Sequence, residues 1–328
     1  MVIFLSTILF DAYDKQQFYK EFYRELEKAM EPSGGHLKEI DIPKNNTVQK
    51  GIVIKFDNVN VAPTVYPDLY YPDWKQGYSV DMIVSGIRTR LLKTAPTIAK
   101  FDIDNISRDN APLHLRAAIV NYENNKNWLK EIPHERIADL AVFTKWDFEN
   151  NHVTVVNDYL LAKMGLTKEE ALKIAKTNTG REAELMSMDN VMEELVRETV
   201  NDEGLAADLV AGYGHSPLYM LSNKEDLDGA AAIADSHVLK QVHDTLEEDF
   251  YILPSSIHEV MIIPKSEIFS VEELKNMVHS INQNEVPLED RLSDNVYEFD
   301  GHSLKLAGMD GLTEERDIAD TIKHHRSR

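Results

Sequence analysis

Phe250–Pro264 reads Phe-Tyr-Ile-Leu-Pro-Ser-Ser-Ile-His-Glu-Val-Met-Ile-Ile-Pro, and its reading decides the fold. Two apolar runs, rich in Ile, Val and aromatic residues, flank Pro254-Ser255-Ser256. Runs of that composition form strands, and a short Pro/Ser break between them forms a hairpin loop. The expectation is an antiparallel pair, Phe250–Leu253 with Ile257–Ile263, in the sheet of a C-terminal unit. Along a strand, side chains alternate between faces, so His258 would share a face with Val260 and Ile262, and Glu259 with Met261 and Ile263.

Working outward, short strands and helices succeed one another without βαβ repetition. Phe18, Phe22, Leu26 and Met30 recur every four residues, so 12–30 is an amphipathic helix ended by Pro32-Ser33-Gly34-Gly35. Leu37–Ile42 and Val48–Phe56 alternate as strands around Lys44-Asn45-Asn46, with Val59–Val65 as a third. A second helix spans Ser79–Lys93, with Met82, Ile83, Ile87 and Leu91 on one face. Leu113–Tyr122 reads as a strand, Glu123–Glu131 as a helix, and Ile137–Phe148 as one long strand turning at Glu149-Asn150-Asn151. Thr167-Lys168-Glu169-Glu170 and Ser270-Val271-Glu272-Glu273 are capping boxes that open helices. Asn295–Phe299 and Ser303–Ala307 form a small hairpin across Asp300-Gly301. The fold class is α+β: two mixed units with largely antiparallel sheets and hairpins, helices on the sheet faces. Composition divides the chain into an N-terminal α+β domain (1–180), a helical linker region (181–217), a C-terminal α+β domain (218–307) and a charged, flexible tail (308–328).

The chain has 328 residues, 56 acidic against 35 basic, and a net charge of −21. That surplus repels phosphate backbones and anionic membranes, so it argues against a nucleic-acid partner. Cysteine is absent, which removes disulfides, thiol nucleophiles and zinc-thiolate sites and fits a reducing compartment, the cytoplasm. The opening Met-Val-Ile-Phe-Leu-Ser-Thr-Ile-Leu-Phe is apolar but lacks a basic leader and is too short to span a bilayer. It reads as a buried segment, with no membrane partner.

Candidate site residues cluster in the hairpin and upstream of it. Ser255, Ser256, His258 and Glu259, with His215, are the catalytic candidates. None completes a motif. A metalloprotease helix needs a second His four residues after His258, where Ile262 stands. Gly212-Tyr213-Gly214-His215-Ser216-Pro217 lacks the third glycine of a dinucleotide loop, and Leu218 stands where a nucleophile elbow needs glycine. Asp102-Ile103-Asp104 lacks the later residues of a calcium loop. No cofactor motif and no metal set is complete. Tyr66, Tyr70, Tyr71 and Trp74, with Tyr78, make the candidate interaction segment, since clustered Tyr and Trp either anchor interfaces or pack a loop onto its own domain.

Several segments carry a resemblance: Asn60–Tyr66, Val120–Lys126, Pro133-His134, Asp139–Phe143, Tyr219–Asn223, Gly229-Ala230-Ala231, Tyr251–Val260 and Leu292–Tyr297. In order and spacing, from about residue 12 to about 300, the chain resembles a domain-of-unknown-function family of Gram-positive anaerobic bacteria, many of the gut. The resemblance implies no activity, substrate or cofactor. The chain reads as a non-catalytic cytoplasmic binding or accessory protein with an unknown protein or small-ligand partner. The alternatives are a hydrolase or metal-assisted enzyme with its site near the 254–259 hairpin, and an accessory protein of a mobile element or defence system.

Overall fold

In the computed structural model the described residues are 2–57, 62–98, 105–148, 153–200 and 216–308, with Leu205, Leu209 and Gly212 between the last two ranges. His215 and the 149–151 turn lie outside them. The class is α+β, with mostly antiparallel sheets of three, four and six strands. The chain forms two compact units, divided between Ile106 and Ser107. Segment 181–187, expected as linker, contributes a strand to the larger sheet.

In the first unit, helix α1 (Val2–Met30) lies on the sheet of β1 (Gly35–Lys44), β2 (Thr47–Phe56) and β3 (Thr64–Val65). The β1–β2 turn is Asn45-Asn46, with Asn46 in the left-handed region that Asn tolerates. Phe18, Phe22, Leu26 and Met30 are buried, as their four-residue spacing requires, against Ile52, Ile54 and Val65. Short helix α2 (Tyr71–Lys75) precedes α3 (Val80–Ile98). The buried face of α3 is Val80, Val84 and Ile87, whereas Met82, expected inside, is 60% exposed. A seam of i, i+4, i+7 lies one position away from the apolar set that included Met82.

The second unit holds α4 (Ala111–His114), β4 (Leu115–Asn121), α5 (Tyr122–Leu129), β5 (His134–Ile137), β6 (Leu140–Asp147), β7 (Val153–Val155), α6 (Asp158–Met164) and α7 (Lys168–Glu182). Strands β4, β5 and β7 all pair with β6. The long strand expected from Ile137 is therefore two, β5 and β6, folded back at Ala138-Asp139. Next come β8 (Ala183–Ser187), α8 (Met188–Thr199), β9 (Tyr219–Asn223), a 3-10 turn at Gly229–Ala234, α9 (Ser236–Leu246), β10 (Phe250–Leu253), β11 (Val260–Pro264), α10 (Val271–Asn284), β12 (Tyr297–Phe299) and β13 (Leu304–Leu306). The six-stranded sheet runs β13-β12-β10-β11-β9-β8. Gly229-Ala230-Ala231 opens the 3-10 turn, and Gly229 is packed against the His258 carbonyl and Ser222 with no room for a Cβ.

The β10–β11 pair is antiparallel and central, Phe250 facing Pro264 and Leu253 facing Met261. Val260, Ile262 and Ile263 are fully buried, so both faces of β11 are covered. The connection is longer than expected. Ile257, His258 and Glu259 leave the strand, because the loop pairs with a different segment. Ile257 donates to Asp290, Leu292 to the Ser255 carbonyl and Ser293 to the Pro254 carbonyl.

Candidate functional site

The loop between β10 and β11 holds four of the candidate residues, and their polar atoms have partners inside the fold. The Ser256 hydroxyl accepts the His258 backbone N–H at 3.0 Å and hydrogen-bonds the Glu259 carboxylate. His258 Nδ1 accepts the Asp228 N–H, which leaves the proton on Nε2, 3.3 Å from Asp290 Oδ1. Both ring nitrogens are thus engaged, and neither faces a serine hydroxyl. Burial pushes the Glu259 carboxyl above its ordinary range, against the lowering effects of Ser256 and His258. The Ser255 carbonyl takes a backbone bond and its side chain is half-buried. The group within reach of the Ser256 hydroxyl is the Glu259 carboxylate and not the His258 ring, so the loop does not assemble a histidine-activated nucleophile. Being off the strand, His258 and Glu259 do not project to opposite sheet faces as alternation required. Among the described residues no group of three or more His, Asp or Glu is placed to hold a metal ion.

The aromatic segment turns inward. Tyr70 stacks on Phe22, and Tyr71 and Trp74 pack on Phe18 and on each other at 5.5–5.7 Å. Lys44 lies 4.8 Å from the Tyr66 ring. Tyr78 and Leu69 are the exposed apolar members of this region.

Segments far apart in sequence meet at one carboxylate, that of Asp139. It accepts Asn121 Nδ2 at 3.2 Å, Ser293 Oγ at 2.8 Å, Asn295 Nδ2 at 3.0 Å and the hydroxyl of buried Tyr297. The turn that presents it has Ala138 at φ +54°, and the Asp139 carbonyl accepts the Tyr122 N–H. Asn121 also caps α5 by accepting the Asn124 N–H. Burial and the neighbouring Asp139 charge raise the Tyr297 pKa strongly, so the phenol remains a donor. With its oxygens filled from the protein, Asp139 is a structural anchor.

A cleft of about 450 Å³ in the second unit is open to a ligand. One wall is the end of α7, tied to β4: Thr179 Oγ1 accepts the Ala117 N–H, and Asn178 Nδ2 donates to the Pro112 and Leu115 carbonyls. A second wall is the 223–228 turn, ordered by Asn223 Oδ1 accepting the Glu225 and Leu227 N–H groups. Asp226 and Asp228 in that turn both have positive φ, which Asp tolerates better than most residues. Lys145 and Asp147 line the cleft from β6. Charges of both signs alternate around it. Arg116 binds Glu182 through two nitrogens, Lys145 pairs with Asp228, and Lys224 lies 3.3 Å from Glu184. The Lys145 side chain is only 19% exposed, and its ammonium has three donors, of which Asp228 takes one. Asp228 also donates its N–H to His258, so the cleft wall and the β10–β11 loop are one connected network.

None of these cleft residues stood out in the sequence. They are scattered from 116 to 228, and the one local signal was Lys145 and Asp147, two apart on a strand and therefore on one face.

With this geometry in place, comparison with known families is informative. The family described as "Family of unknown function (DUF5688)" matches residues 15–301. The chain belongs to that family. Asn121, Asp139, the cleft and the β10–β11 loop all fall within the matched span. No curated protein and no solved structure matches the chain. Among the described residues no helix is long and apolar enough to cross a membrane.

Proposed function

We propose that this chain binds a small polar molecule in the cleft between the end of α7 and the 223–228 turn, and performs no chemistry on it. The observation that carries the reading is the contrast between two places. In the β10–β11 loop the hydroxyl of Ser256 and both ring nitrogens of His258 are held by the protein itself. In the cleft, about 450 Å³ is bounded by charged groups, with an incompletely bonded Lys145 ammonium among them. That volume lies within the range of small-ligand sites, and the charged lining points to a polar ligand. The absence of cysteine from the sequence supports a cytoplasmic setting, and the resemblance described above supports a source among Gram-positive anaerobes. The inward packing of Tyr70, Tyr71 and Trp74 makes the aromatic segment the weaker candidate for a partner surface.

Equilibrium dialysis tests the proposal. The protein is dialysed against a mixture of amino acids, short peptides, organic acids, sugars, nucleotides and polyamines, and both compartments are quantified by mass spectrometry. At least one class should accumulate with the protein, and Lys145→Met and Arg181→Ala should each reduce that accumulation by about tenfold, the worth of one charge-assisted contact. No accumulation, or equal accumulation by variants that melt like the parent, would remove the cleft as a site.

A further inference from the structure

The cleft has an internal charge ledger that narrows what it takes. Its cations are Arg116, Lys145, Arg181 and Lys224, and its anions Asp147, Glu182, Glu184, Glu225 and Asp228. Arg116, Lys145 and Lys224 are each matched by a carboxylate, Glu182, Asp228 and Glu184. Asp147 also has a partner within the protein. The guanidinium of Arg181 and the carboxylate of Glu225 are left over, each exposed and each without a hydrogen bond or ion pair among the described residues. Both line the cleft, Arg181 from the last turn of α7 and Glu225 from the ordered 223–228 turn.

A simple anion drawn to Arg181 would face a wall richer in carboxylates than in cations. An amine drawn to Glu225 would leave Arg181 unmatched and meet the Lys145 ammonium. A molecule with both charges, held apart, satisfies both leftover groups and adds no net charge to a chain already at −21. The cleft volume, about 450 Å³, sets the scale of the ligand. An extended tripeptide spans about 10 Å, and its ends carry one ammonium and one carboxylate. We infer that the ligand of this cleft is a zwitterion of short-peptide size, its carboxylate held by Arg181 and its ammonium by Glu225. This inference rests on the cleft being the binding site.

Guanidinium and carboxylate differ in what they add. Arg181 presents a planar fork that matches a carboxylate with two parallel bonds. Glu225 is a point acceptor for an ammonium, and the Lys145 donors left over by Asp228 can take a peptide carbonyl between the two ends.

The test uses trialanine with both ends free, N-acetyl-trialanine, trialanine amide and the doubly blocked peptide. Binding to the full-length protein is titrated calorimetrically at low ionic strength. Free trialanine should bind about tenfold tighter than either singly blocked peptide, because each block removes one charge-assisted contact. Arg181→Gln should bring trialanine down to the level of its amide while leaving the amide unchanged. Glu225→Gln should do the same with respect to the acetylated peptide. Both side chains are exposed, so unchanged thermal melting is expected and verifies that the variants fold. A blocked peptide binding as tightly as the free one, or insensitivity to both substitutions, overturns the inference. If trialanine fails to bind while another molecule is retained in the dialysis experiment and lost in Lys145→Met, the zwitterion assignment falls and the cleft stands. If nothing is retained, both fall.

Discussion

Gly229 has no room for a methyl group. A Cβ there would lie 2.4 Å from the His258 carbonyl oxygen and 2.5 Å from Ser222 Oγ, atoms that are themselves hydrogen-bonded at 2.9 Å. Gly229→Ala must separate the 3-10 turn from the β10–β11 loop, and overpacking of this kind costs about 2–3 kcal/mol, measurable by urea unfolding. An unaltered midpoint would mean that the loop gives way freely. Glu259, in the same loop, makes an electrostatic prediction. Burial raises its folded pKa above the ordinary 4.5 of the unfolded chain. Between those values the folded state holds the proton and the unfolded state releases it, so stability falls as pH rises through that window. The penalty is complete above the folded pKa and absent below 4.5. Glu259→Gln should therefore melt higher than the parent at neutral pH, with the gain disappearing in acid. A gain of equal size at both pH values would assign the effect to packing instead.

At the scale of elements, the central hairpin was legible because its signal is local and strong. Both β10 and β11 are β-branched and aromatic runs, and both capping boxes at Thr167 and Ser270 formed as spelled. Val260 is fully buried on β11, and Val260→Asp should destabilise the protein by about 3 kcal/mol or more, since a carboxylate there has no partner. Melting at the parent temperature would contradict that placement. What could not be read locally was where a strand yields to distant pairing. His258 and Glu259 leave β11 because 254–257 is held by 290–293, a relation with no trace in the hairpin's own residues. The β5–β6 reversal was equally hidden. Ala138-Asp139 contains no glycine or asparagine to announce a positive φ, and the turn is fixed from outside by donors at 121, 293, 295 and 297. Tyr297→Phe removes one of those donors and should cost about 1.5–3 kcal/mol, the range for a hydrogen bond to a charged group. A double-mutant cycle with Asp139→Asn should show that the two losses do not add. The cleft was invisible for the same reason as the turn: its groups are united by the packing of α7 and the 223–228 turn, not by spacing.

At the scale of the whole molecule, 56 acidic residues against 35 basic make self-repulsion a general tax on compactness. Raising sodium chloride from about 0.01 M to about 0.2 M shortens the screening length from roughly 30 Å to less than 10 Å and should raise the melting temperature. A flat or falling trend would show that local ion pairs, such as the two lysines on Glu298, outweigh the net charge. The Asp139–Tyr297 contact carries a different consequence, one of timing. Its partners are 158 residues apart, whereas β10 and β11 are neighbours in the chain. Closing so long a loop costs chain entropy that only an already assembled structure can offset, so this contact forms after the rate-limiting barrier to folding. Loss of the Tyr297 hydroxyl should then leave refolding in stopped flow almost unchanged and appear nearly in full as faster unfolding. Asp139 acts as a late-closing latch: it governs how long the native state lasts and has little bearing on how quickly it is reached.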